Sequence, residues 1–191
     1  MGCDIHLYKE KKIDGVWVTA DEGWSDEYDG GVADVPWEKR FTDRDYNLFG
    51  FLCSGVRRTH DFSFKERGIP FNICKEIKAY CDYYGVDGHS QSYLALNELR
   101  EAWEFLGDKT ITISGMKRES ELQLLQASID SSEPTDWNLL YPYCQGTSDR
   151  SQVDFSVEVD AVWALKGIQR IIKLFDGIEA DDHRIVFWFD N

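Results

Sequence analysis

The chain has 191 residues, of which 42% are hydrophobic and 29% charged, and its formal net charge at pH 7 is −14. This length and apolar content can bury a core without disulfide or metal staples, and no run approaches the ~18 apolar residues of a membrane span. The excess of acidic residues disfavours binding to the phosphates of long nucleic acids and to anionic membranes. We therefore expect one globular domain over residues 1–191 without such partners, and the oligomeric state stays open.

The first residues reach a charged run at 9–12 before any apolar stretch develops, so no signal peptide is expected. The five cysteines are odd in number and contain no C-x-x-C pair, which disfavours a disulfide framework or a zinc knuckle. Both features predict a cytoplasmic protein with reduced thiols.

The N-terminal third predicts a hairpin followed by a long loop. Residues 3–9 alternate in polarity, as a half-buried strand does. Asp14-Gly15 is a hairpin signal, and residues 16–18 form the returning strand. Residues 20–40 hold seven acidic side chains together with glycine and proline, which predicts a long loop of the kind that is usually functional or mobile.

The middle of the chain predicts three helices. Asp43 is expected to cap a short apolar helix over residues 46–53, and helical spacing of apolar residues continues at 72–84. Ser92 is expected to cap a third helix whose apolar face runs over residues 96–106.

The C-terminal half predicts strands at both ends of a helical region. Residues 184–189 are apolar on both faces, which is typical of a central strand. The fold class is therefore α+β, with a mixed or antiparallel sheet formed by the N- and C-terminal strands and four to five helices packed on it. The remaining predicted elements are strands at 110–113 and 155–159, helices at 122–129 and 162–175, and a polar loop at 130–152.

Each of the four histidines has an aspartate within two residues, and a neighbouring carboxylate can orient an imidazole as a base or ligand. Asp4 and His6 share one face of the first predicted strand, so both could reach one divalent metal. With His89 they form the predicted metal set, and His6 and His89 are the predicted acid/base groups, with Asp87 orienting His89. The alternatives are a solvated strand face at Asp4 and His6, and a simple turn and helix cap at residues 87–92.

Arginines concentrate between residues 44 and 67 of this acidic chain, and guanidinium groups bind phosphate in a forked geometry. This concentration predicts a small anionic ligand or nucleotide as the partner, and simple charge balance with nearby acids is the alternative. The predicted ligand-binding residues are Arg44, Tyr46, Arg57, Arg58, His60, Ser90 and Ser92.

Five motifs resemble a widespread family of phage-encoded proteins that has no assigned activity. The resemblance spans most of the chain and implies an accessory protein acting in the cytoplasm of an infected bacterial host, not a virion component. The motifs are M-G-C-D-I-H at 1–6, R-D-Y-N-L-F at 44–49, R-G-I-P at 67–70, D-G-H-S-Q-S-Y-L at 87–94 and R-I-V-F-W-F-D-N at 184–191.

Three functions are consistent with these features. The first is a phosphoester hydrolase that acts on a small phosphorylated molecule or nucleotide with a divalent metal. The second is a non-catalytic protein that sequesters a nucleotide signal of host defence. The third is an inhibitor of a host nuclease whose acidic residues 20–40 imitate DNA.

Overall fold

The computed structural model describes the chain in five stretches, and residue contacts divide it into two compact units. Unit 1 contains Met1–Arg44, Glu66–Glu101 and Ile171–Asn191, and unit 2 contains Asp45–Lys65 and Ala102–Arg170. The expectation of a single domain stays a prediction. The described residues are 3–25, 31–57, 60–131, 152–179 and 181–190.

Unit 1 is built on a four-stranded antiparallel sheet in the order β2-β1-β6-β3. The strands are β1 (Asp4–Ile13), β2 (Val16–Thr19), β3 (His89–Ala95) and β6 (His183–Asp190). The two terminal strands β1 and β6 pair directly at the centre, and residues 184–189 of β6 are all buried. The predicted α+β fold with adjoining terminal strands is confirmed, and β6, which is apolar on both faces, lies between two other strands as a central strand does.

The β1–β2 hairpin turns at the predicted dipeptide. Asp14 and Gly15 have φ angles of 49° and 83°, and Ile13 pairs directly with Val16. Two successive left-handed residues make a turn whose twist matches that of the flanking strands.

Both faces of the sheet are covered. The β1–β6 register places His6 beside Trp188 on one face, and Ile5 beside Phe189 on the other. On the His6 face, helix α2 (Lys75–Tyr84) contributes Ile77 and Tyr80 to the same buried cluster as Trp188. The alternative of a solvated strand face does not describe His6, whose side chain is 11% exposed, whereas the Asp4 side chain is 47% exposed.

The third predicted helix begins later than its expected cap. Ser92 lies in β3, where it pairs with Phe187, and its buried hydroxyl accepts a hydrogen bond from the Arg67 backbone N–H at 3.2 Å. Helix α3 (Leu96–Leu106) follows directly, and the Glu98 carboxylate accepts from the Ala95 N–H at 2.8 Å. Pairing with β6 overrides the turn and cap chemistry that residues 87–92 indicate in isolation.

Helix α1 (Tyr46–Leu52) in unit 2 begins at the expected residue but has a different cap. Asp45, not Asp43, caps it, because the Asp45 carboxylate accepts from the backbone N–H groups of Asn47 and Leu48, both at 3.1 Å. The two aspartates are equally good caps by residue type, so only the backbone geometry distinguishes them.

The rest of unit 2 contains a two-stranded antiparallel sheet and short helices. The predicted helix at 162–175 is interrupted, because Leu165 leaves the helical region with φ −109° and ψ 30°. Most of the predicted polar loop lies outside the described residues. The elements are β4 (Thr110–Arg118), α4 (Glu119–Asp130), β5 (Gln152–Asp160) and α5 (Ala161–Ala164), followed by α6 (Lys166–Lys173), which begins in unit 2 and ends in the range of unit 1.

None of the helices in the described stretches is long and apolar enough to cross a membrane.

Candidate functional site

A pocket of about 240 Å³ opens on the α2-covered face of the unit 1 sheet. Its floor is formed by the start of β1 and the end of β6, and one wall is the segment 37–43. The lining residues are Asp4, Ile5, His6, Leu7, Tyr8, Trp37, Arg40, Phe41, Thr42, Asp43, Tyr84 and Asp190. Two of the residues predicted as metal ligands, Asp4 and His6, therefore reach one pocket.

His6 is held by a carboxylate from the opposite end of the chain. Its Nε2 lies 3.1 Å from Oδ2 of Asp190, which pairs with Asp4 across the β1–β6 ladder. A carboxylate accepts, so Nε2 donates its proton and the lone pair remains on Nδ1. This arrangement fixes the tautomer of the imidazole, as a general base or a ligand requires.

Aromatic rings enclose the same imidazole. The Tyr84 ring centroid lies 4.2 Å from that of His6, and Trp188 stacks on His6 at 5.5 Å with an interplanar angle of 13°. The His6 side chain is only 11% exposed. This burial lowers the pKa of His6 below its ordinary value, and the hydrogen bond with Asp190 opposes the change only in part. His6 is therefore a neutral, proton-accepting group near pH 7.

A buried ionic group anchors the wall of the pocket. The Asp34 carboxylate accepts from the Tyr8 hydroxyl at 2.9 Å and from the Val35 N–H at 2.7 Å, and it ion-pairs with Arg40. Arg40 also donates from Nε to the Val35 carbonyl at 2.5 Å. These bonds hold the segment that follows Asp34 against β1 and fix the position of the wall.

Arg44, a predicted phosphate ligand, instead binds a carboxylate at the pocket. Two of its nitrogens, Nε and Nη2, donate hydrogen bonds to Asp4, the second at 2.7 Å. This forked contact lowers the pKa of Asp4. Charge balance, the alternative interpretation of the arginine concentration, describes this pair.

The residues predicted at 87–92 do not join His6. His89 pairs with Phe189 and stacks on its ring at 6.1 Å, whereas His6 pairs with Trp188. Because Trp188 and Phe189 are consecutive in β6, His6 and His89 point to opposite faces of the sheet. In the part of the chain that the structure describes, no group of three or more His, Cys, Asp or Glu side chains could hold a metal ion.

Ser90 and Asp87 also have local partners. The Ser90 hydroxyl lies 3.2 Å from His89 Nδ1, and Ser90 has a φ of 54° at an irregularity of the β3–β6 ladder. The Asp87 N–H donates to the Tyr84 carbonyl at 3.0 Å in the turn after α2. The expected orientation of His89 by Asp87 is thus replaced by a contact with Ser90.

Four other predicted ligand residues fall in the ranges of unit 2, and three of them, Tyr46, Arg57 and His60, are described. The Arg57 guanidinium lies 4.6 Å from the centroid of the Tyr46 ring. His60 Nε2 lies 2.8 Å from the Asn47 carbonyl oxygen. Arg58 lies outside the described residues.

The sequence interpretation missed Asp190, Asp34, Arg40 and Tyr84. Asp190 stands in the closing R-I-V-F-W-F-D-N segment, where it is the one acidic residue. Asp34 belongs to the predicted acidic loop, yet it is buried and paired.

No family model, curated protein or solved structure matches this chain.

Proposed function

We propose that the protein binds a small ring-bearing ligand of the nucleotide class in the unit 1 pocket and sequesters it without turnover. The observation that carries this proposal is a pocket lined by Trp37, Phe41 and Tyr84 together with a neutral imidazole, the Tyr84 ring lying 4.2 Å from that of His6. Aromatic faces hold a flat heterocycle by stacking, which contributes about 1–3 kcal/mol per base. The biological role that we propose for this binding is the removal of a nucleotide signal of host defence inside an infected cell.

The pocket volume favours a compact ligand. About 240 Å³ is less than the roughly 300–1,000 Å³ of sites for drug-sized molecules. A single heterocycle with a small substituent fits this volume, whereas a whole nucleotide extends beyond it. We therefore propose that the base lies in the pocket and the phosphate outside.

Metal-dependent hydrolysis receives no support from the geometry. It needed Asp4, His6 and His89 around one ion, and the pairing of His89 with Phe189 puts it on the other side of the sheet from His6. Arg44, which was predicted to bind the phosphate, hydrogen-bonds Asp4 instead.

Isothermal titration with a panel of nucleosides and nucleotides tests the binding proposal. Replacing Tyr84 with Ala should weaken binding about tenfold, because it removes a ring from the lining. Tyr83→Ala is the matched control, since this neighbouring tyrosine is 52% exposed and does not line the pocket. Equal affinities of the Tyr84→Ala and Tyr83→Ala variants would contradict the assignment of the site.

One observation favours catalysis as a second candidate. The 3.1 Å contact between His6 and Asp190 has the geometry of an oriented general base. Incubation with the bound nucleotide followed by heat denaturation separates the two functions. Release of the intact ligand supports sequestration, and release of a product that is absent with His6→Gln supports catalysis.

A further inference from the structure

Carboxylates outnumber cations on the lining of the unit 1 pocket. Asp4, Asp43 and Asp190 lie on the lining, and Arg40 is the one guanidinium among the described lining residues. The charge of Arg40 is already balanced, because it ion-pairs with Asp34, whose side chain is 3% exposed. The lining therefore has a net negative charge.

The nearest other cation does not reverse this balance. Arg44 makes two hydrogen bonds to Asp4, so its charge offsets that of Asp4 as Asp34 offsets Arg40, and Asp43 and Asp190 keep the sum negative. A phosphate in the pocket would meet carboxylates in a partly desolvated site, and juxtaposed like charges cost several kcal/mol.

The rings of the lining favour the same sign of charge for an independent reason. Trp37, Phe41 and Tyr84 are aromatic residues of the lining. The face of an aromatic ring carries the negative end of its quadrupole and attracts cations. Rings and carboxylates together form the environment in which proteins bind planar organic cations.

We infer that the ligand places a planar, positively charged nitrogen group in this pocket, such as an amidinium or a protonated amino-heterocycle, and that the pocket excludes anionic groups. This inference rests on the proposed function, because it assumes that a ring-bearing ligand binds here. It adds that the bound group is positively charged, whereas the sequence predicted an anionic ligand.

Three probes of nearly equal shape and different charge test the inference: benzamidine, benzamide and benzoate. Titration calorimetry of the full chain at pH 7.5 should give at least about tenfold tighter binding of benzamidine than of benzamide, because a charge-assisted hydrogen bond is added. Benzoate should bind weakest. Asp190→Asn should reduce the preference for benzamidine over benzamide about tenfold.

Two further variants keep this test interpretable. Asp4→Asn removes a carboxylate from the exposed rim and should reduce the same preference even where Asp190→Asn disturbs folding. Asp82→Asn removes the same charge from an exposed pair with Lys78, away from the lining, and should leave the preference unchanged.

The outcomes separate this inference from the proposed function. Equal binding of the three probes, or a preference for benzoate, would overturn the inference while a ring-binding pocket stands. A failure of all three probes to bind would overturn both. An equal loss of preference in Asp82→Asn and Asp190→Asn would attribute the effect to net charge and also overturn the inference.

Discussion

Replacing Glu10 with Gln should strongly destabilise unit 1, because Glu10 is half of a buried ion pair. Glu10 is 0% exposed, and its carboxylate accepts from Arg184 Nε and from the Cys74 N–H at 2.5 and 2.6 Å. Arg184 also donates to the Asn72 side chain at 3.0 Å and lies 4.0 Å from the Trp17 ring centroid. Both charges are therefore held in fixed positions away from water.

The expected magnitude follows from what Gln cannot do. The amide oxygen can accept one of the two hydrogen bonds, and the amide nitrogen then faces a donor, so the Arg184 charge is left without its counter-charge. Removing one partner of a buried pair costs about 3–5 kcal/mol, which for a chain of this length lowers Tm by about 6–20 °C. Replacing both Glu10 and Arg184 with Met should recover at least about 2 kcal/mol of this loss.

Urea unfolding of the wild type, the single variant and the double variant measures these differences. Lys78→Met is the control, since its pair with Asp82 is solvent-exposed and should contribute less than about 1 kcal/mol. A Glu10→Gln variant within about 1 kcal/mol of the wild type would refute the reasoning, as would a double variant that is less stable than the single one.

Two further predictions concern pH and packing. Burial lowers the pKa values of His6 and His60 in the folded chain, so the unfolded state binds more protons than the folded state. The free energy of unfolding should therefore fall as the pH drops below the unfolded histidine pKa of about 6.5. The urea midpoints at pH 7.5 and pH 5.0 should differ less in a His6→Gln, His60→Gln variant than in the wild type. Gly167→Ala should cost about 1–3 kcal/mol, because a Cβ there would lie 2.7 Å from Leu48 Cδ2 and 2.9 Å from Asp45 Oδ2; an unchanged thermal midpoint would contradict this close approach.

The sheet of unit 1 was predictable where a strand carries its own signal. The hairpin at Asp14-Gly15 depends on two adjacent residues that tolerate positive φ, and the central position of β6 follows from its apolar residues on both faces. Strand β3 was not predictable in this way. Its residues include serine, glutamine and histidine, and what makes them extended is pairing with β6, almost a hundred residues later in the chain.

The candidate site was half predictable for the same reason. Alternation within β1 correctly placed Asp4 and His6 on one face, because that relation is local. The group that orients His6 is Asp190, at a sequence separation of 184 residues, and only the antiparallel register of the terminal strands brings it there. The closing motif of the chain, where the resemblance ends, holds this residue.

The difference between His6 and His89 explains why proximity to aspartate was a weak guide to function. Each histidine has an aspartate two residues before it, at Asp4 and Asp87, yet neither binds that neighbour. Asp4 binds Arg44 instead. In a strand, residues two apart share a face but stand side by side, so the partner that a side chain can reach is more often on the adjacent strand. A sequence search for oriented histidines in such a sheet should therefore include the diagonal neighbours on the adjacent strand, since Asp190 lies two residues from Trp188, the direct partner of His6 in the β1–β6 register.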